Sequence, residues 1–319
     1  MADRGKLISF TRADEIDLRA TQWLIDGWLV RDTLAGMVGP SGSCKSFLGI
    51  DWACRVATGT PWFGRNVEQG AVFVIAGEGR SGMRKRIDGW QKATGIPIAG
   101  APLYIADCLP PLADLGNAAE VMNEISDVAE ALFYRSGCEP TLIIIDTVAR
   151  ALAGANENSS DDMGRLIQGM DWLRQQWGAC VLSLHHTGHG TETQSRARGS
   201  SAYYAALDSE FVLKATDQAV EVKVTKGKDW ASPLPLTLTK EVIEVDVPTA
   251  QGISRESTLV LRDQFGAVVE ANRQRNVIAL HREGKSERDI SEETGVPKST
   301  VHRWIVNAKP VWDEAFSDD

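Results

Sequence analysis

Short apolar runs alternate, over the first two thirds of the chain, with longer stretches in which apolar residues recur at helical spacing. The apolar runs suit strands buried on both faces of a sheet, and they occupy residues 34–38, 71–77, 102–107, 141–146 and 179–186. The helical stretches lie between them, at residues 47–59, 80–95, 118–136 and 163–178. Because strand and helix alternate, the pattern predicts an α/β domain with a doubly wound, mostly parallel sheet.

The pattern changes after Asp208. Four segments, residues 210–215, 219–226, 234–247 and 257–263, alternate apolar and polar residues and have no helix between them. Such a series is typical of antiparallel strands joined by short turns. We therefore expect antiparallel strands to be added to the parallel sheet.

The same patterns divide the chain into four parts. We expect an N-terminal arm over residues 1–30, a main α/β domain over 31–265, a small all-α domain over 270–309 and an acidic tail over 310–319.

The formal net charge of −9 argues against a protein that holds nucleic acid with its whole surface. Between residues 271 and 309, however, eight lysines and arginines face five acidic residues, so any DNA contact must be local.

Composition also limits the cellular setting. No run of eighteen apolar residues occurs, so we expect no membrane span. The five cysteines are scattered and form no CxxC pair, which disfavours a disulfide framework or a zinc site. These features favour a cytoplasmic protein.

The most specific motif is a glycine- and serine-rich loop between the first predicted strand and the helix that follows it. Such a P-loop holds phosphates with backbone N–H groups at a helix N-terminus, a lysine on the β- and γ-phosphates and a hydroxyl on Mg²⁺. Lys45 and Ser46 fit these two roles, and ATP with Mg²⁺ is the expected ligand. The nucleotide-binding residues would be Gly39, Pro40, Ser41, Gly42, Ser43, Cys44, Lys45, Ser46 and Phe47.

Cys44 departs from the usual motif, which has glycine at this position. The position takes a backbone conformation that glycine tolerates best, so a side chain there costs ~1 kcal/mol of strain. The backbone donors survive the change, and we still expect nucleotide binding.

Two carboxylates follow apolar strands and complete an ATPase site. Asp146 ends the strand 141–146, from which an aspartate orients Mg²⁺ and its water. Glu78 follows the strand 71–77, which we expect to neighbour the P-loop strand, and there it can polarise the attacking water. Asp146 could instead form a turn, and Glu78 could instead be a helix N-cap.

The order and spacing of several blocks carry a closer resemblance. The blocks are residues 23–30, 39–53, 60–64, 72–87, 141–150, 182–190 and 196–203. Together they resemble the RepA-type hexameric helicases of plasmids and phages, which belong to the RecA/DnaB-like branch of P-loop ATPases. The resemblance covers about residues 23–228 and implies a RecA-like core, ATP hydrolysis between the subunits of a ring, and single-stranded DNA in the ring channel.

The resemblance also implies roles for single residues. Lys45 and Ser46 correspond to the phosphate and Mg²⁺ residues, Glu78 to the catalytic glutamate and Asp146 to the Mg²⁺-side aspartate. His186 corresponds to the sensor of the γ-phosphate. The alternative, a metal site formed by His186 and its neighbour in the chain, lacks a third ligand at suitable spacing.

The resemblance further implies cations that reach the active site of a neighbouring subunit. Lys226 and Lys228 match the family's basic-x-basic pattern, although arginine is usual at the second position and a lysine lacks its bidentate fork. Arg198 is a second candidate for this role or for DNA contact. The polar segment 188–198 corresponds to a DNA-binding loop of the channel, and the competing interpretation is a plain solvent loop.

Residues 273–306 have the spacing of a helix-turn-helix and resemble that of resolvases and small bacterial regulators. A first helix covers residues 273–282, Ser286 caps the second, Gly295 makes the turn, and residues 297–306 form the recognition helix. Such a helix can enter the major groove of duplex DNA. Its DNA-facing side chains would be Lys298, Ser299, Thr300, His302 and Arg303. A three-helix protein-docking module is the alternative.

Two functions from different classes remain open. The first is a helicase or translocase of phage or plasmid replication that works as a ring, with six subunits as the expected number and no membrane partner. The second is a nucleotide-gated DNA-binding regulator or loading factor with little turnover. Cys44 and the lysine-only trans pattern favour the second, whereas Glu78 and His186 favour the first. A small-molecule kinase is disfavoured because no lid or acceptor signature occurs.

Overall fold

A large mixed sheet forms the centre of the main domain. The structure is a computed structural model, and it describes residues 11–18, 20–77, 80–187, 201–250, 252–263, 276–296 and 298–308. Nine strands form the sheet, in the order β11-β10-β9-β8-β3-β7-β6-β4-β5. The strands from β5 to β8 run parallel, and β9, β10 and β11 are added in antiparallel fashion. The predicted α/β class with antiparallel additions is therefore confirmed.

The strands have the following bounds. A separate two-stranded sheet comprises β1, Trp23–Ile25, and β2, Leu29–Val30. The parallel strands are β3, Leu34–Gly39; β4, Ala71–Ala76; β5, Leu103–Ile105; β6, Pro140–Asp146; β7, Cys180–His186; and β8, Ser209–Ala215. The antiparallel strands are β9, Ala219–Gly227; β10, Leu236–Thr249; and β11, Gly252–Asp263.

Helices connect the parallel strands and cover both faces of the sheet. They are α1, Lys45–Thr58; α2, Arg80–Thr94; α3, Leu115–Ser136; α4, Val148–Ala151; α5, Ser160–Trp177; and α6, Ser201–Ala206. A short 3-10 helix precedes them at Ala13–Glu15. One core lies between the sheet and α1 with α2, and the second lies between the sheet and α3 to α6. No helix among the described residues combines the length and apolarity that crossing a membrane requires.

Four tryptophans are buried in the core beside α1. Trp28, Trp52, Trp62 and Trp90 contribute their rings, and Trp62 meets both Trp28 and Trp52 edge to face. The buried carboxylate of Asp51 accepts hydrogen bonds from the indole N–H groups of Trp62 and Trp90, each at 2.7 Å. Because Trp90 lies on α2 and Asp51 on α1, this carboxylate ties the two helices together.

Strands β10 and β11 form a long hairpin that packs against α2. Arg262 donates to the carbonyl of Ala93, and Lys85 pairs with Glu256. Gly89 faces Thr258 so closely that a Cβ atom there would lie 2.2 Å from the Thr258 methyl group. Glycine is therefore required at this helical position, because any side chain would push the hairpin away.

The C-terminal residues form a three-helix module with its own small core. A helix, α7, is described over residues 276–282, and α8, Glu287–Thr294, and α9, Lys298–Ala308, follow it. The Ser286 hydroxyl caps α8 by accepting from the Asp289 N–H, and Gly295 ends it with φ +66°. These are the cap and the turn that the sequence predicts. The core residues are Val277, Leu280, Ile290, Val296, Val301, Trp304 and Ile305.

Two predictions of the arrangement need correction. β4 does not neighbour the P-loop strand, because β7 and β6 lie between β4 and β3. β8 is not part of a purely antiparallel series, because it pairs in parallel with β3 and only its other edge is antiparallel.

The N-terminal residues 23–30, whose Leu24, Ile25 and Leu29 are fully buried, belong to the core of the main domain.

Candidate functional site

The P-loop joins the carboxyl end of β3 to the start of α1. Gly39, the last residue of β3, lies so close to β8 that a Cβ atom would stand 2.7 Å from the Leu213 carbonyl oxygen. Gly42 takes φ +79°, and the Ser43 N–H closes the turn on the Pro40 carbonyl at 3.2 Å. Ser41 and Gly42 are exposed at the tip. The loop therefore wraps around the N-terminus of a fourteen-residue helix, where backbone N–H groups and the helix dipole favour an anion.

Lys45 lies across this loop with only 5% of its surface exposed. Its ammonium donates to the carbonyls of Gly39 at 2.8 Å and Pro40 at 2.9 Å, and it lies 3.4 Å from the Ser43 hydroxyl. Burial lowers the pKa of Lys45 to about 8, and the charge of Asp146 only partly opposes the shift. A buried cation held by neutral carbonyls gains a stronger partner when a phosphate arrives.

His186 and Asp146 reach the same edge of the sheet because β7 and β6 end beside β3. His186 is aligned with Gly39, and its Nδ1 atom lies 3.3 Å from the Lys45 ammonium. Asp146 is 4% exposed, and its backbone carbonyl accepts from the Gly77 N–H at 2.7 Å. The structure thus brings together three of the predicted catalytic residues, Lys45, His186 and Asp146.

Cys44 has the left-handed backbone that the sequence predicts for this position, with φ 67° and ψ 21°. Its thiol lies 3.8 Å from the Gly42 carbonyl, and burial raises the thiol pKa. At neutral pH the side chain is therefore an uncharged thiol. It adds strain to the loop and no negative charge next to the phosphate site.

The residues that would hold Mg²⁺ fit that ion. Ser46 is half-buried at the start of α1, and its hydroxyl has no hydrogen-bond partner among the residues that the structure describes. Asp146 supplies a carboxylate whose charge acts on Lys45. Hydroxyl and carboxylate oxygens together with phosphate oxygens are the donors that Mg²⁺ prefers. Across the described ranges, no group of three or more His, Cys, Asp or Glu side chains forms a separate metal site.

Two predicted site residues lie outside the described residues. Glu78 follows β4, and the described residues there end at Gly77. Arg198 lies between residues 187 and 201, where the structure is not described. The roles of both residues, and that of the loop 188–198, therefore stay predictions. The carboxyl end of β4 lies beside that of β6, since Ala76 is aligned with Asp146. Glu78 thus follows a strand that ends next to Asp146 rather than next to the P-loop.

Lys226 and Lys228 lie at the opposite edge of the sheet. Gly227 pairs with Ser209, which is aligned with Ala35 near the start of β3. Four residue steps of β3, from Ala35 to Gly39, separate them from the P-loop, which is roughly 13 Å. Within one chain these lysines and the P-loop are not brought together.

Local contacts hold both lysines in the free chain. Lys226 donates to the Tyr204 carbonyl at 2.8 Å and lies over the Tyr204 ring, whereas the Lys228 ammonium lies 3.3 Å from Asp208. Lys228 also lines a cavity of about 520 Å³ at this edge together with Arg174 and Trp230. Lys226 is half-buried, whereas Lys228 is exposed, so the contact of Lys228 with Asp208 can be exchanged for another partner at little cost.

Sequence reasoning missed a further lysine at the P-loop edge. Lys240 on β10 donates to the Thr216 carbonyl at 2.6 Å, just beyond the end of β8. Its charge opposes the rise in the pKa of the Cys44 thiol, so its electrostatic influence extends to the loop. No signal in the sequence marks it, because Lys240 is distant in the chain and reaches the loop only through the antiparallel strands.

His185, next to the sensor candidate, points away from the P-loop. Its ring is fully buried, contacts the Tyr203 ring edge to face at 4.9 Å and lies 3.7 Å from Glu157. The Tyr203 hydroxyl in turn bonds the Ser183 hydroxyl at 2.8 Å. Since consecutive strand residues face opposite sides of the sheet, His185 and His186 cannot share a metal ion. The metal-pair alternative is thereby excluded for the described residues.

The helix-turn-helix module presents part of its predicted DNA surface. Lys298 and His302 are exposed on α9, and Thr300 is half-buried. His302 contacts Glu287 of α8 at 2.9 Å, and this histidine lowers the pKa of the glutamate. The side chains of Ser299 and Arg303 lie outside the described part, so their DNA roles stay predictions.

Comparison with known protein families agrees with both parts of the chain. A family model described as an AAA domain matches residues 2–192, more than half of the 319 residues. A second family model, described as a homeodomain-like domain, matches residues 267–305. A search of curated proteins finds no match to the chain. With its P-loop, nine-stranded sheet and C-terminal helices, the chain belongs to the AAA domain family of P-loop ATPases and carries a homeodomain-like helix-turn-helix.

Proposed function

We propose that this protein is an ATP-dependent DNA helicase or translocase of the RepA-like kind, working as a ring in phage or plasmid replication. The observation that carries the proposal is the convergence of Lys45, His186 and Asp146 at one edge of the parallel sheet. A site that only holds a nucleotide has no use for a histidine against the P-loop lysine. A site that hydrolyses ATP needs a group that responds when the γ-phosphate leaves.

The chain's own residues account for most of the reaction. The P-loop N–H groups hold the phosphates, and Lys45 exchanges the carbonyls of Gly39 and Pro40 for phosphate oxygens. Glu78 accepts a proton from the attacking water, and His186 contacts the γ-phosphate. Ser46 and Asp146 would hold Mg²⁺, which would supply positive charge next to the phosphates.

A ring accounts for the separation of the cations. Lys226 and Lys228 stand at the sheet edge far from their own P-loop, and a neighbouring subunit of a ring can bring this edge to the site. Their positive charge would stabilise the transferring phosphoryl group in trans. Six subunits, and single-stranded DNA in the channel near the loop 188–198, follow from the resemblance.

One observation favours a second function, a nucleotide-gated DNA-binding regulator or loading factor. Cys44 holds a left-handed conformation at φ 67° inside the P-loop, which costs about 1 kcal/mol at a position that catalysis requires to be well ordered. With the helix-turn-helix on duplex DNA, ATP binding alone could switch assembly.

Steady-state ATP hydrolysis with and without single-stranded DNA distinguishes the two functions. We expect turnover that DNA stimulates and that both Lys45→Ala and Glu78→Gln abolish, with Lys223→Ala, an exposed lysine of β9, as the matched control. Tight ATP binding without turnover on any DNA would sink the helicase proposal and leave the regulator.

Mixing two inactive variants tests whether the site is shared between subunits. Lys45→Ala has an inactive P-loop and intact trans lysines, whereas Lys228→Ala has the reverse. In a mixed ring, an interface between a Lys228→Ala P-loop and a Lys45→Ala lysine edge is complete, so activity should return. No recovery over the sum of the two separate variants contradicts a shared site.

A further inference from the structure

The side chain of Lys226 ends on the carboxyl end of α6, the short helix that comes just before β8. Its ammonium donates to the carbonyls of Tyr204 at 2.8 Å and Ala205 at 3.2 Å, and it lies 4.9 Å from the centre of the Tyr204 ring. The last carbonyls of a helix have no partner within the helix and form the negative end of its dipole, so they attract a cation. Lys226 therefore caps α6 in its own chain.

A buried carboxylate lies across the strands from Lys226. Glu210 of β8 is aligned with Lys226 of β9, and its carboxylate accepts from the Thr225 hydroxyl at 2.5 Å. Burial raises the pKa of Glu210, and the Thr225 hydrogen bond and the charge of Lys226 oppose that rise. Two helix carbonyls, a ring and a carboxylate thus act on one half-buried ammonium, whereas Lys228 is exposed and pairs with Asp208.

The other face of α6 is fixed to the parallel sheet. Tyr203 is fully buried, and its hydroxyl bonds the Ser183 hydroxyl at 2.8 Å. Its ring contacts the His185 ring edge to face. Both partners lie on β7, the strand that ends at His186 beside the P-loop. α6 therefore lies between the strand that reaches the phosphate site of its own chain and the lysine that we assign to the site of a neighbour.

We propose that Tyr204 is a positioning residue that holds Lys226 on α6 and keeps it from the neighbouring active site until DNA binds. The proposal rests on the proposed function, in which Lys226 acts in trans and DNA stimulates turnover. One ammonium cannot cap α6 and contact a phosphoryl group of another subunit at the same time, so the two contacts compete. α6 begins at Ser201 and is the described helix nearest in the chain to the predicted DNA loop 188–198. DNA bound there would release Lys226 by displacing α6.

Chemical labelling measures the contact without any need for turnover. The full-length protein is treated with acetic anhydride, and mass spectrometry follows the acetylation of each lysine with time. Lys223, an exposed lysine of the same strand, is the internal reference. We expect Lys226 to react about threefold more slowly than Lys223, because carbonyls and a ring engage its ammonium. Tyr204→Ala should reduce this difference, whereas Tyr204→Phe, which keeps the ring, should preserve it.

The rate of ATP hydrolysis in the absence of DNA is the second readout. Tyr204→Ala should raise this rate by about threefold, because loss of the ring contact makes Lys226 available to the neighbour. The DNA-stimulated rate should change by less than about twofold. Tyr204→Phe and the matched control Tyr134→Ala, at an exposed tyrosine of α3, should leave both rates unchanged. In a Lys226→Ala background, Tyr204→Ala should have no further effect, because Tyr204 acts through the lysine.

Several results would overturn the proposal. Equal labelling of Lys226 and Lys223 in the unaltered protein would show that α6 does not hold the lysine, whatever the function is. Circular dichroism melting checks that each variant folds, and Tyr204→Leu is the second variant without the ring. If folded ring-free variants leave the DNA-free rate unchanged or lower it, Tyr204 does not restrain turnover. An equal rise in the Lys226→Ala background would show that Tyr204 acts through another group.

Failure of the proposed function gives a different pattern. In that case the unaltered protein hydrolyses no ATP, or Lys226→Ala and Lys228→Ala keep the full DNA-stimulated rate. Either result removes the trans role, and with it the competition for the ammonium. Slow labelling of Lys226 would persist in both cases, because it depends only on the contact with α6.

Discussion

The lysines at the two edges of the parallel sheet differ in burial and in the groups that they contact. At the carboxyl edge Lys45 is 5% exposed, and the carbonyls of its own loop surround its ammonium. At the amino edge the side chain of Lys228 is 65% exposed and meets Asp208 across 3.3 Å. Burial lowers the pKa of the first lysine to about 8.

Under the proposed function, this difference separates a cation that acts in the active site of its own chain from one that acts in the active site of a neighbouring subunit. A buried ammonium without a carboxylate in direct contact gains most from an incoming phosphate, because the phosphate replaces its lost hydration. An exposed ammonium loses little when it leaves its partner, so a neighbouring subunit can recruit it at small cost. The comparison predicts different consequences of substitution at the two edges.

The largest effect is expected at the carboxyl edge. Lys45→Ala should lower the rate of ATP hydrolysis on the order of 10³-fold, because it removes a charge that acts in a dry site. It should also weaken ATP binding. Hydrolysis assays and titration calorimetry on the same preparation check both effects. A variant that keeps more than a tenth of the activity would show that Lys45 does not contact the phosphates.

A substitution at the amino edge should lower the turnover of ATP without changing the affinity for ATP. Lys228→Ala should lower DNA-stimulated turnover by about 10²-fold in the assembled protein, whereas ATP affinity stays within about twofold. The free energy of unfolding should change by less than about 1 kcal/mol, because the lost ion pair is exposed. Lys228→Arg should keep the activity. If Lys228→Ala weakens ATP binding of the isolated chain, the two edges are not independent.

The pKa of Lys45 should appear in the pH dependence of ATP binding. Below pH about 8 the ammonium is already protonated, so it contributes no pH dependence. Above that pH the free protein must take up a proton on binding, and affinity should fall by up to about tenfold per pH unit. Calorimetry between about pH 7 and about pH 9.5, in steps of about half a pH unit, measures how ATP affinity depends on pH. Lys45→Arg does not titrate there and should flatten it.

The smallest effect is expected within the P-loop backbone. Cys44→Gly should leave the free energy of unfolding within about 1 kcal/mol, because relief of the left-handed strain offsets the lost side-chain burial. Cys44→Val should cost about 2 kcal/mol, because a β-branched residue rarely takes φ 67°. Chemical denaturation compares the three proteins. Equal stability of the glycine and valine variants would mean that the loop backbone differs from the one described.

The sequence predicted the local features of this fold well. The strand that ends at Asp146 and the strand that carries His186 end where the apolar runs end. The Ser286 cap, the Gly295 turn and the left-handed position of Cys44 also follow from residue types that favour one backbone geometry. Each of these features depends on a few neighbouring residues, which explains why they can be read from the chain.

Features that depend on long-range packing could not be predicted from the sequence. β4 follows the P-loop helix in the chain, but two strands separate it from β3, because parallel strands can be inserted between sequential neighbours. Lys240 comes to the carboxyl end of β8 through the antiparallel strands, and Arg86 reaches Phe47 through the packing of α2 on α1. No spacing in the sequence records these contacts.

The tryptophan core gives this protein an optical property of its own. Four of the ten tryptophans, Trp28, Trp52, Trp62 and Trp90, are buried around α1, the helix whose first turn faces the phosphate site. Asp51 accepts hydrogen bonds from two of the four indoles, so their electronic environment depends on one carboxylate in that helix. A displacement of α1 against α2 changes the bond between Asp51 and Trp90. The natural emission of the protein can therefore follow the nucleotide cycle without any attached dye.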